Sequence, residues 1–237
     1  MGKSDPARSR DAYHHGDLHN ALVDAAISLV AEKGAEGFSL REAARAVGVS
    51  PAAAYRHFAD KDALLAAVSF EGHRRVARRM RAAVARKAKG ADPRGRAATA
   101  FVAVGEAYVD FAVENPALFR VMFGPWCALA QGLPEHMSDE DDPYHGLVQV
   151  LDALVAAGVI PPERRSGAEL PCWSIVHGFA SLLVEDAVEL TTSQRAAAYA
   201  HLAKTLLLGL GCDPAVVPEP RSPPPVLAHP RDGGGKR

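Results

Sequence analysis

The 237-residue sequence contains few cysteines, few aromatic residues and no long apolar run. Its three cysteines, Cys127, Cys172 and Cys212, are widely spaced and form no Cys-x-x-Cys pair, which argues against a disulfide framework or a zinc site. No apolar stretch reaches the roughly 18 residues that a membrane-spanning helix needs, and the N-terminus lacks the apolar core of a signal peptide. We therefore expect a soluble, cytoplasmic protein with no membrane partner.

Strand patterns are also missing, because no extended runs of Val, Ile and Thr alternate with polar residues. Apolar residues make up 48% of the chain, and alanine, the best helix former, is abundant. The fold class predicted is all-α, with about nine helices and short connections. The main helices are expected at 16–33, 61–89, 97–114, 144–157, 168–190 and 193–210.

The net charge of −1 hides an uneven distribution along the chain. Residues 1–90 carry a net charge of +6, and residues 91–237 carry −7. A basic first part and an acidic second part fit a nucleic-acid-binding module joined to a part that does not bind nucleic acid. Chance variation of a solvated surface is the alternative interpretation.

The most informative stretch is residues 39–61, SLREAARAVGVSPAAAYRHFADK. Ser39 begins an S-x-x-E capping box, which predicts a helix start. Gly48 permits a tight turn, Ser50 caps a second short helix that starts with proline, and Asp60 caps a third. Two short helices across a glycine turn form a helix-turn-helix, whose second helix can enter the DNA major groove.

Residues 13–68, which include VGVS and YRHFADKDALL, resemble the DNA-binding region of tetracycline-repressor-like (TetR family) regulators. The later segment WSIVHGFASLL, with Trp173, His177 and Gly178, is similar to the ligand-binding domain of a Trp-His-Gly (WHG) subgroup. The resemblance implies a homodimer that binds a palindromic operator in double-stranded DNA and is released by a small-molecule effector. Most members of the family are repressors and some are activators.

The resemblance also assigns DNA-contacting residues, with the recognition helix at 51–58. Arg41 and Arg56 are candidates for reading guanine edges, and a phosphate contact or a solvated side chain is the alternative for both. Ala52 and Ala53 stand where the family more often has glycine then threonine, so we expect operator choice to rest on few direct contacts plus DNA shape. The full predicted set is Ser39, Arg41, Ser50, Pro51, Ala52, Ala53, Tyr55, Arg56, His57 and Lys61.

The second part of the chain concentrates its aromatic side chains at helical spacing, which favours either core packing or the wall of a ligand cavity. Tyr108 and His177 are its polar candidates for ligand contact, although a satisfied core or interface histidine is the alternative for His177. The predicted ligand-binding residues are Tyr108, Phe111, Phe123, Trp126, Trp173 and His177.

The predicted domain organisation has four parts. Residues 1–15 form a basic flexible arm, and residues 16–62 form the helix-turn-helix domain, continued by the connecting helix at 61–89. Residues 91–211 form a ligand-binding and dimerisation domain. Residues 212–237, rich in proline and glycine, are expected to be disordered. The last two helices should build the dimer through apolar faces that include Leu182, Leu183, Ala187, Leu202, Leu206 and Leu210.

Other functions find little support in the sequence. His136, His145 and the acidic run 139–142 lie in a charge-dense stretch that is better explained as a solvated loop than as a metal site. No GxSxG, phosphate-binding glycine loop or HExxH motif is present, so we expect neither an enzyme nor a cofactor. Two alternatives remain open: a non-specific architectural DNA-binding protein, and a small helical enzyme.

Overall fold

A computed structural model describes residues 6–90, 92–130, 138–220 and 222–225. Within these ranges the chain forms ten α-helices, one 3-10 turn at Pro162–Arg164 and no strand, which confirms the all-α class. The helices are α1 (Pro6–Lys33), α2 (Leu40–Val47), α3 (Pro51–Tyr55), α4 (Lys61–Lys87), α5 (Pro93–Glu114), α6 (Pro116–Met122), α7 (Trp126–Ala130), α8 (Pro143–Ala156), α9 (Glu169–Val184) and α10 (Thr192–Gly209).

Several predicted helix boundaries differ from the structure. Helix α9 ends at Val184 rather than at residue 190, so the predicted dimer residue Ala187 lies outside it, and α5 begins at Pro93 rather than at residue 97. Helix α1 begins at Pro6 rather than at residue 16, so residues 6–15 of the predicted flexible arm are helical, and residues 1–5 lie outside the described chain. Helix α3 ends at Tyr55, three residues before the predicted end of the recognition helix. None of the helices in the described part of the chain is long and apolar enough to cross a membrane.

The chain divides into two compact units, and the division differs from the predicted start of the ligand-binding domain at residue 91. The first unit comprises residues 1–75 and 115–138, and the second comprises residues 76–114 and 139–237. The segment 115–138, which we assigned to the ligand-binding domain, therefore belongs to the helix-turn-helix unit.

In the first unit, α1 packs on α2 and α6, and α2 packs on α3. The core contains Leu22 and Val30 of α1, Leu40 of α2, and Leu64 and Leu65 of α4. Burying one such aliphatic side chain stabilises the fold by about 1.5–3 kcal/mol. The buried apolar side chains of α1 therefore lie in the core that this helix shares with the helix-turn-helix.

Helices α6 and α7 are fixed against the first half of α4. The Ser69 hydroxyl donates to the backbone carbonyl of Met122 at 3.3 Å, and the Trp126 indole Nε1–H donates to Asp62 Oδ1 at 2.9 Å. A Cβ on Gly72 would lie 2.5 Å from Met122 Cγ, so only glycine permits this approach. Contacts between residues 50 or more positions apart therefore define this part of the unit.

In the second unit, α5 is the central helix, with α8, α9 and α10 packed around it. It is buried along most of its length, from Ala97 to Ala112. Charged pairs lie at its edges: the Arg79 guanidinium binds Glu114, Lys87 binds Glu106, and Arg195 binds Asp110 at 3.1 Å. The buried face of α5 thus presents almost only apolar and small side chains to its neighbours.

Part of the C-terminal segment for which we predict disorder makes defined contacts with α10. Residues 212–220 and 222–225, which we call the C-terminal strap, pack beside α10. Val217 is buried, Lys204 Nζ contacts both carboxylate oxygens of Glu219 at 2.8 Å, and His201 Nε2 lies 2.9 Å from the Ser222 carbonyl. These anchors offset the low apolar content on which the prediction of disorder rested. Residues 226–237 lie outside the described chain.

Candidate DNA-reading surface and ligand cavity

Capping interactions fix the helix-turn-helix as predicted. Ser39 Oγ accepts from the Glu42 amide at 3.3 Å while the Glu42 carboxylate accepts from the Ser39 amide at 2.9 Å. The Lys33 ammonium and the Ser39 groups lower the pKa of Glu42, which keeps this carboxylate ionised. Gly48 adopts φ 80°, a left-handed conformation that suits glycine. The predicted helix start at Ser39 and the predicted turn at Gly48 are therefore confirmed.

Two further caps hold the recognition helix and the helix that follows it. The Ala53 amide donates to Ser50 Oγ at 3.2 Å, and the Ala63 amide donates to Asp60 Oδ1 at 2.8 Å. An N-cap of this kind stabilises a helix by about 1 kcal/mol. The short α3 thus depends strongly on Ser50 for its start.

The exposed face of this motif carries most of the predicted DNA contacts. Arg41, Pro51, Ala52 and Arg56 are exposed, and Tyr55 is 47% exposed. The guanidinium groups of Arg41 and Arg56 have no ion-pair or hydrogen-bond partner among the residues that the structure describes. This face therefore presents the guanidinium groups of Arg41 and Arg56 and a tyrosine hydroxyl to solvent.

One predicted groove-facing residue is instead part of the core. Ala53 is only 8% exposed and packs beside Ala54 and Phe58, which are also buried. Ala53 follows the exposed Pro51 by two positions, which is about 200° around an α-helix, so its side chain points away from the exposed face. The apolar contact surface that α3 offers to DNA is therefore limited to Pro51 and Ala52.

The other predicted contacts have roles within the protein as well. Lys61 Nζ donates to the Ala35 carbonyl at 3.3 Å and contacts Glu36 Oε2 at 3.1 Å, above the Phe38 ring. The half-buried His57 ring lies 6.4 Å from that of His19. The Ser39 hydroxyl donates to Glu42, so it is less available to a phosphate than that of Ser50.

In the second unit, three of the predicted ligand-binding residues meet in one cluster. The Tyr108 hydroxyl lies 2.9 Å from His177 Nδ1, and the His177 ring stacks on Trp173 with an interplanar angle of 13°. Burial lowers the pKa of His177 and raises the pKa of the Tyr108 hydroxyl, so both are neutral near pH 7. One neutral hydrogen bond joins the two side chains.

A cavity of about 30 Å³ lies beside this cluster. No charged side chain of the described residues lines it, and burial raises the pKa of the Cys172 thiol on its wall to about 11, so the thiol is neutral near pH 7. It is lined by Met80, Phe101, Val104, Gly105, Tyr108, Pro143, Leu147, Cys172, Trp173, Val176, Tyr199 and Leu206.

The remaining predicted ligand residues do not line this cavity. Phe111 is buried in the second unit but is absent from the cavity wall. Phe123 and Trp126 belong to the first unit, where the Phe123 ring lies 5.4 Å from His73. Both residues follow Asn115, the residue between α5 and α6 at which the chain returns to the helix-turn-helix unit.

Sequence reasoning missed one polar residue of the cavity, Tyr199 of α10. It is 3% exposed, and its hydroxyl reaches α5 so closely that a Cβ on Gly105 would lie 1.5 Å from it. The sequence does contain a signal for this residue: Tyr199 is the one aromatic side chain among the alanines of residues 196–200. Small alanine side chains allow another helix to approach closely, so a large side chain among them is expected to pack against that helix.

A second, wider cleft of about 650 Å³ lies between α5, α10 and the C-terminal strap. Small side chains such as Thr99, Ala103 and Ala196 form its walls, with the Lys87–Glu106 ion pair at its edge. It is separate from the aromatic cluster, since the two cavities share no lining residue.

The predicted dimer face is only partly available to a partner. Leu206 and Leu210 of α10 are buried inside their own chain, so they cannot form an interface. On α9, Leu170 is 73% exposed and Leu182 is 47% exposed, and a Cβ on Gly178 would meet nothing within 4 Å. The exposed apolar face therefore lies on α9.

A capped helix-turn-helix with an exposed cationic face, joined to an all-helical unit with an internal cavity, defines a DNA-binding transcription regulator. Comparisons with known proteins agree. Residues 22–68 match the profile of bacterial regulatory proteins of the tetR family, and residues 101–206 match a tetracyclin repressor-like C-terminal domain. The chain belongs to the tetR family.

The individual relatives cover most of the chain. An uncharacterized HTH-type transcriptional regulator from Bacillus subtilis, YobS, is 26% identical over 73% of this chain and 83% of its own length. A protein of unknown function from Rhodococcus sp. RHA1 is 30% identical, with a TM-score of 0.64 over 84% of this chain and 97% of its own. A regulatory protein in the tetR family from Rhodococcus RHA1 is 25% identical, with a TM-score of 0.55 over 83% and 98%.

Proposed function

We propose that this regulator is a repressor that binds a palindromic operator as a homodimer and leaves it when a small-molecule effector occupies the second unit. The observation that carries the proposal is the pair of exposed arginines, Arg41 and Arg56, that have no partner among the described residues. Arg75, Arg165 and Arg195, in contrast, are held by carboxylates. An unpaired arginine on a helix-turn-helix is free to bind DNA without first breaking an ion pair.

Few side chains on this surface can read bases. Pro51 and Ala52 offer only van der Waals contact, for example to thymine methyl groups, while each arginine can bind guanine O6 and N7 in a bidentate arrangement. Such a contact discriminates against a wrong base by about 1–3 kcal/mol. Tyr55, His57 and Lys61 are assigned to phosphates, with Lys61 exchanging its Glu36 partner for a phosphate. Phosphate contacts position the protein but do not select a sequence.

The experiment that tests this proposal has two stages. Selection of binding sites from random DNA should yield an inverted repeat, with half-sites about 34–36 Å apart or a multiple of that distance. Binding is then measured by fluorescence anisotropy on the selected site and on scrambled DNA, over a range of salt concentrations. A protein that binds both DNAs equally is a non-specific architectural binder, and the proposal is then wrong.

Two arginine variants separate base reading from phosphate contact. For a base-reading arginine, Arg41→Ala or Arg56→Ala should weaken specific binding by roughly 1–3 kcal/mol and relax the sequence requirement at one position. For a phosphate-binding arginine, the variant should weaken binding to all sequences alike and reduce the salt slope by about 1. Arg81→Ala, an exposed arginine of the second unit, is the matched control and should change neither quantity.

The homodimer is proposed to form through the exposed apolar face of α9. Ile175, Phe179 and Leu182 lie on this face, fully or partly exposed. A two-fold pair of such helices would match the symmetry of a palindromic operator. Sedimentation at micromolar concentration should give a dimer, and Leu182→Glu should give a monomer. A monomeric native protein would exclude the dimer.

The effector is proposed to act through α4. This helix carries Lys61, a proposed phosphate contact, at its start and Met80, a cavity residue, three-quarters of the way along. A ligand that binds best when α4 is displaced would favour the form that binds DNA poorly, which is a population shift between two states. The expected result is that an effector lowers operator affinity without unfolding the protein.

A further inference from the structure

The cavity beside the Tyr108–His177 pair restricts what the proposed effector can be. Among the residues that the structure describes, no charged side chain lines its walls. A buried ionised carboxylate without a partner is strongly disfavoured, and these walls offer no cation that could pair with an anionic ligand. An uncharged ligand meets no such penalty, and the rings of Phe101, Tyr108 and Trp173 offer it flat apolar surfaces.

One polar group in the cavity has no partner of its own. The Tyr199 side chain is 97% buried, since only 3% of its surface is exposed, and its hydroxyl makes no hydrogen bond to any residue that the structure describes. The hydroxyl lies against Gly105, which also lines the cavity. Leaving such a group unsatisfied destabilises the protein, so a ligand oxygen or nitrogen at this position would gain from pairing with it.

Water is a poor occupant of this position. A buried water generally makes two to four hydrogen bonds, but here Tyr199 is the one uncommitted hydroxyl, because the Tyr108 hydroxyl is already engaged by His177. The rest of the wall is apolar. A ligand with one hydrogen-bonding group and an otherwise apolar surface fits this wall better than water does.

The size of the cavity requires one side chain to move. Its volume of about 30 Å³ is smaller than the roughly 150 Å³ of a cavity that holds benzene. Met80 is the unbranched, flexible side chain of the wall, and its terminal methyl lies 3.5 Å from the position of a Cβ on Gly146, an ordinary contact. Rotation of Met80 would enlarge the cavity, and because Met80 belongs to α4, a ligand that turns this side chain would also act on that helix.

From these observations we propose that the cavity binds an uncharged molecule of the size of a monocyclic phenol, that the ligand oxygen hydrogen-bonds to Tyr199, and that Met80 rotates to admit the ring. The inference names the effector class of the proposed regulator and so rests on that function. It adds a residue, Tyr199, that selects among ligands by hydrogen bonding, and a residue, Met80, that controls the space available.

The test uses the full chain with three probes of similar shape: phenol, toluene and benzoate. Isothermal titration calorimetry should show that phenol and toluene bind and that benzoate does not. In Tyr199→Phe, the ratio of phenol affinity to toluene affinity should fall about tenfold, which corresponds to about 1.4 kcal/mol. The ratio cancels the different hydrophobicity of the two probes. Tyr144→Phe removes an exposed hydroxyl that does not line the cavity and should leave the ratio unchanged.

Met80→Ala provides a second, independent readout, because it opens the wall in advance. Both apolar probes should bind this variant more tightly than the native chain, provided that circular dichroism shows it folded. Three results would overturn the inference: no binding of phenol or toluene to either protein, equal binding of benzoate, or an unchanged affinity ratio in Tyr199→Phe. Operator binding is measured on the same preparations. A chain that binds its operator but none of the probes refutes the ligand class alone, whereas a chain that binds no DNA refutes the regulator.

Discussion

The contact between Gly105 and Tyr199 gives a sharp prediction for Gly105→Ala. The new Cβ would lie 1.5 Å from the Tyr199 hydroxyl oxygen and 2.3 Å from Cζ, which are covalent distances rather than contact distances. Tyr199 is almost fully buried, and α5 is covered by α8, α9 and α10, so neither side can yield without repacking. The substitution should therefore destabilise the fold.

The magnitude follows from two opposing effects. Overpacking a close-packed core destabilises it by about 1–3 kcal/mol, and an overlap this large belongs at the upper end. Replacing a mid-helix glycine by alanine stabilises the helix by about 1 kcal/mol. The net loss is about 2 kcal/mol, and the melting temperature should fall by about 4–8 °C, since 1 kcal/mol shifts it by roughly 2–4 °C in a chain of this length.

Gly146→Ala is the matched control, because it makes the same change in the first turn of α8 without a close contact. Its Cβ would meet only Met80 Cε at 3.5 Å, so this variant should be stabilised by about 0.5–1 kcal/mol. Thermal and urea unfolding are followed by circular dichroism at one fixed protein concentration, because a dimer melts at a temperature that depends on concentration.

A double mutant decides whether the clash with Tyr199 is the cause. In Gly105→Ala with Tyr199→Leu the ring is gone, so the loss should be at least 1 kcal/mol smaller than the sum of the two single losses. If Gly105→Ala stabilises the protein as Gly146→Ala does, or if the two losses simply add, the reasoning from the close contact is refuted.

Three further predictions concern the rest of the second unit. Gly178→Ala should stabilise an isolated chain by about 0.5–1 kcal/mol, whereas a destabilised variant would indicate that a partner helix packs against this glycine. Deleting residues 212–237 should lower stability by about 2 kcal/mol more than deleting residues 226–237, because only the longer deletion removes the buried Val217; equal losses would contradict this. His177 has a lowered pKa, so the folded chain binds fewer protons than the unfolded chain and loses stability as pH falls below about 6.5. Urea unfolding from pH 7.5 to 5 should show this slope, and His177→Gln should reduce it.

The local features of the first unit could be predicted because they depend on neighbouring residues. The capping box at Ser39, the left-handed turn at Gly48 and the caps at Ser50 and Asp60 each involve groups within three or four positions along the chain. The same short range explains why the all-α class was predicted correctly. Interactions of this kind can be predicted from residue types at short, fixed separations along the sequence.

The errors occur where distant residues decide the structure. Segment 115–138 belongs to the first unit because of contacts such as that between Gly72 and Met122, which no helical period encodes. The C-terminal strap contains many prolines, yet Val217 and the Lys204–Glu219 ion pair attach it to α10. For the ligand cavity, the motif at Trp173 and His177 identified one wall. Tyr199 enters from another helix, and its position depends on how closely α10 approaches Gly105.

The path of the chain through the two units restricts how this regulator can be recombined with others. The chain passes from the first unit to the second after Arg75, returns at Asn115, and passes to the second again after Ser138. A fusion that joins a foreign sensor after residue 75 or residue 90 would omit α6 and α7, leaving the Ser69 hydroxyl and the Asp62 carboxylate without their partners. A working hybrid must carry the 115–138 insertion together with its own helix-turn-helix. The helix-turn-helix and segment 115–138 would therefore be inherited together, and they should be transferred together in an engineered regulator.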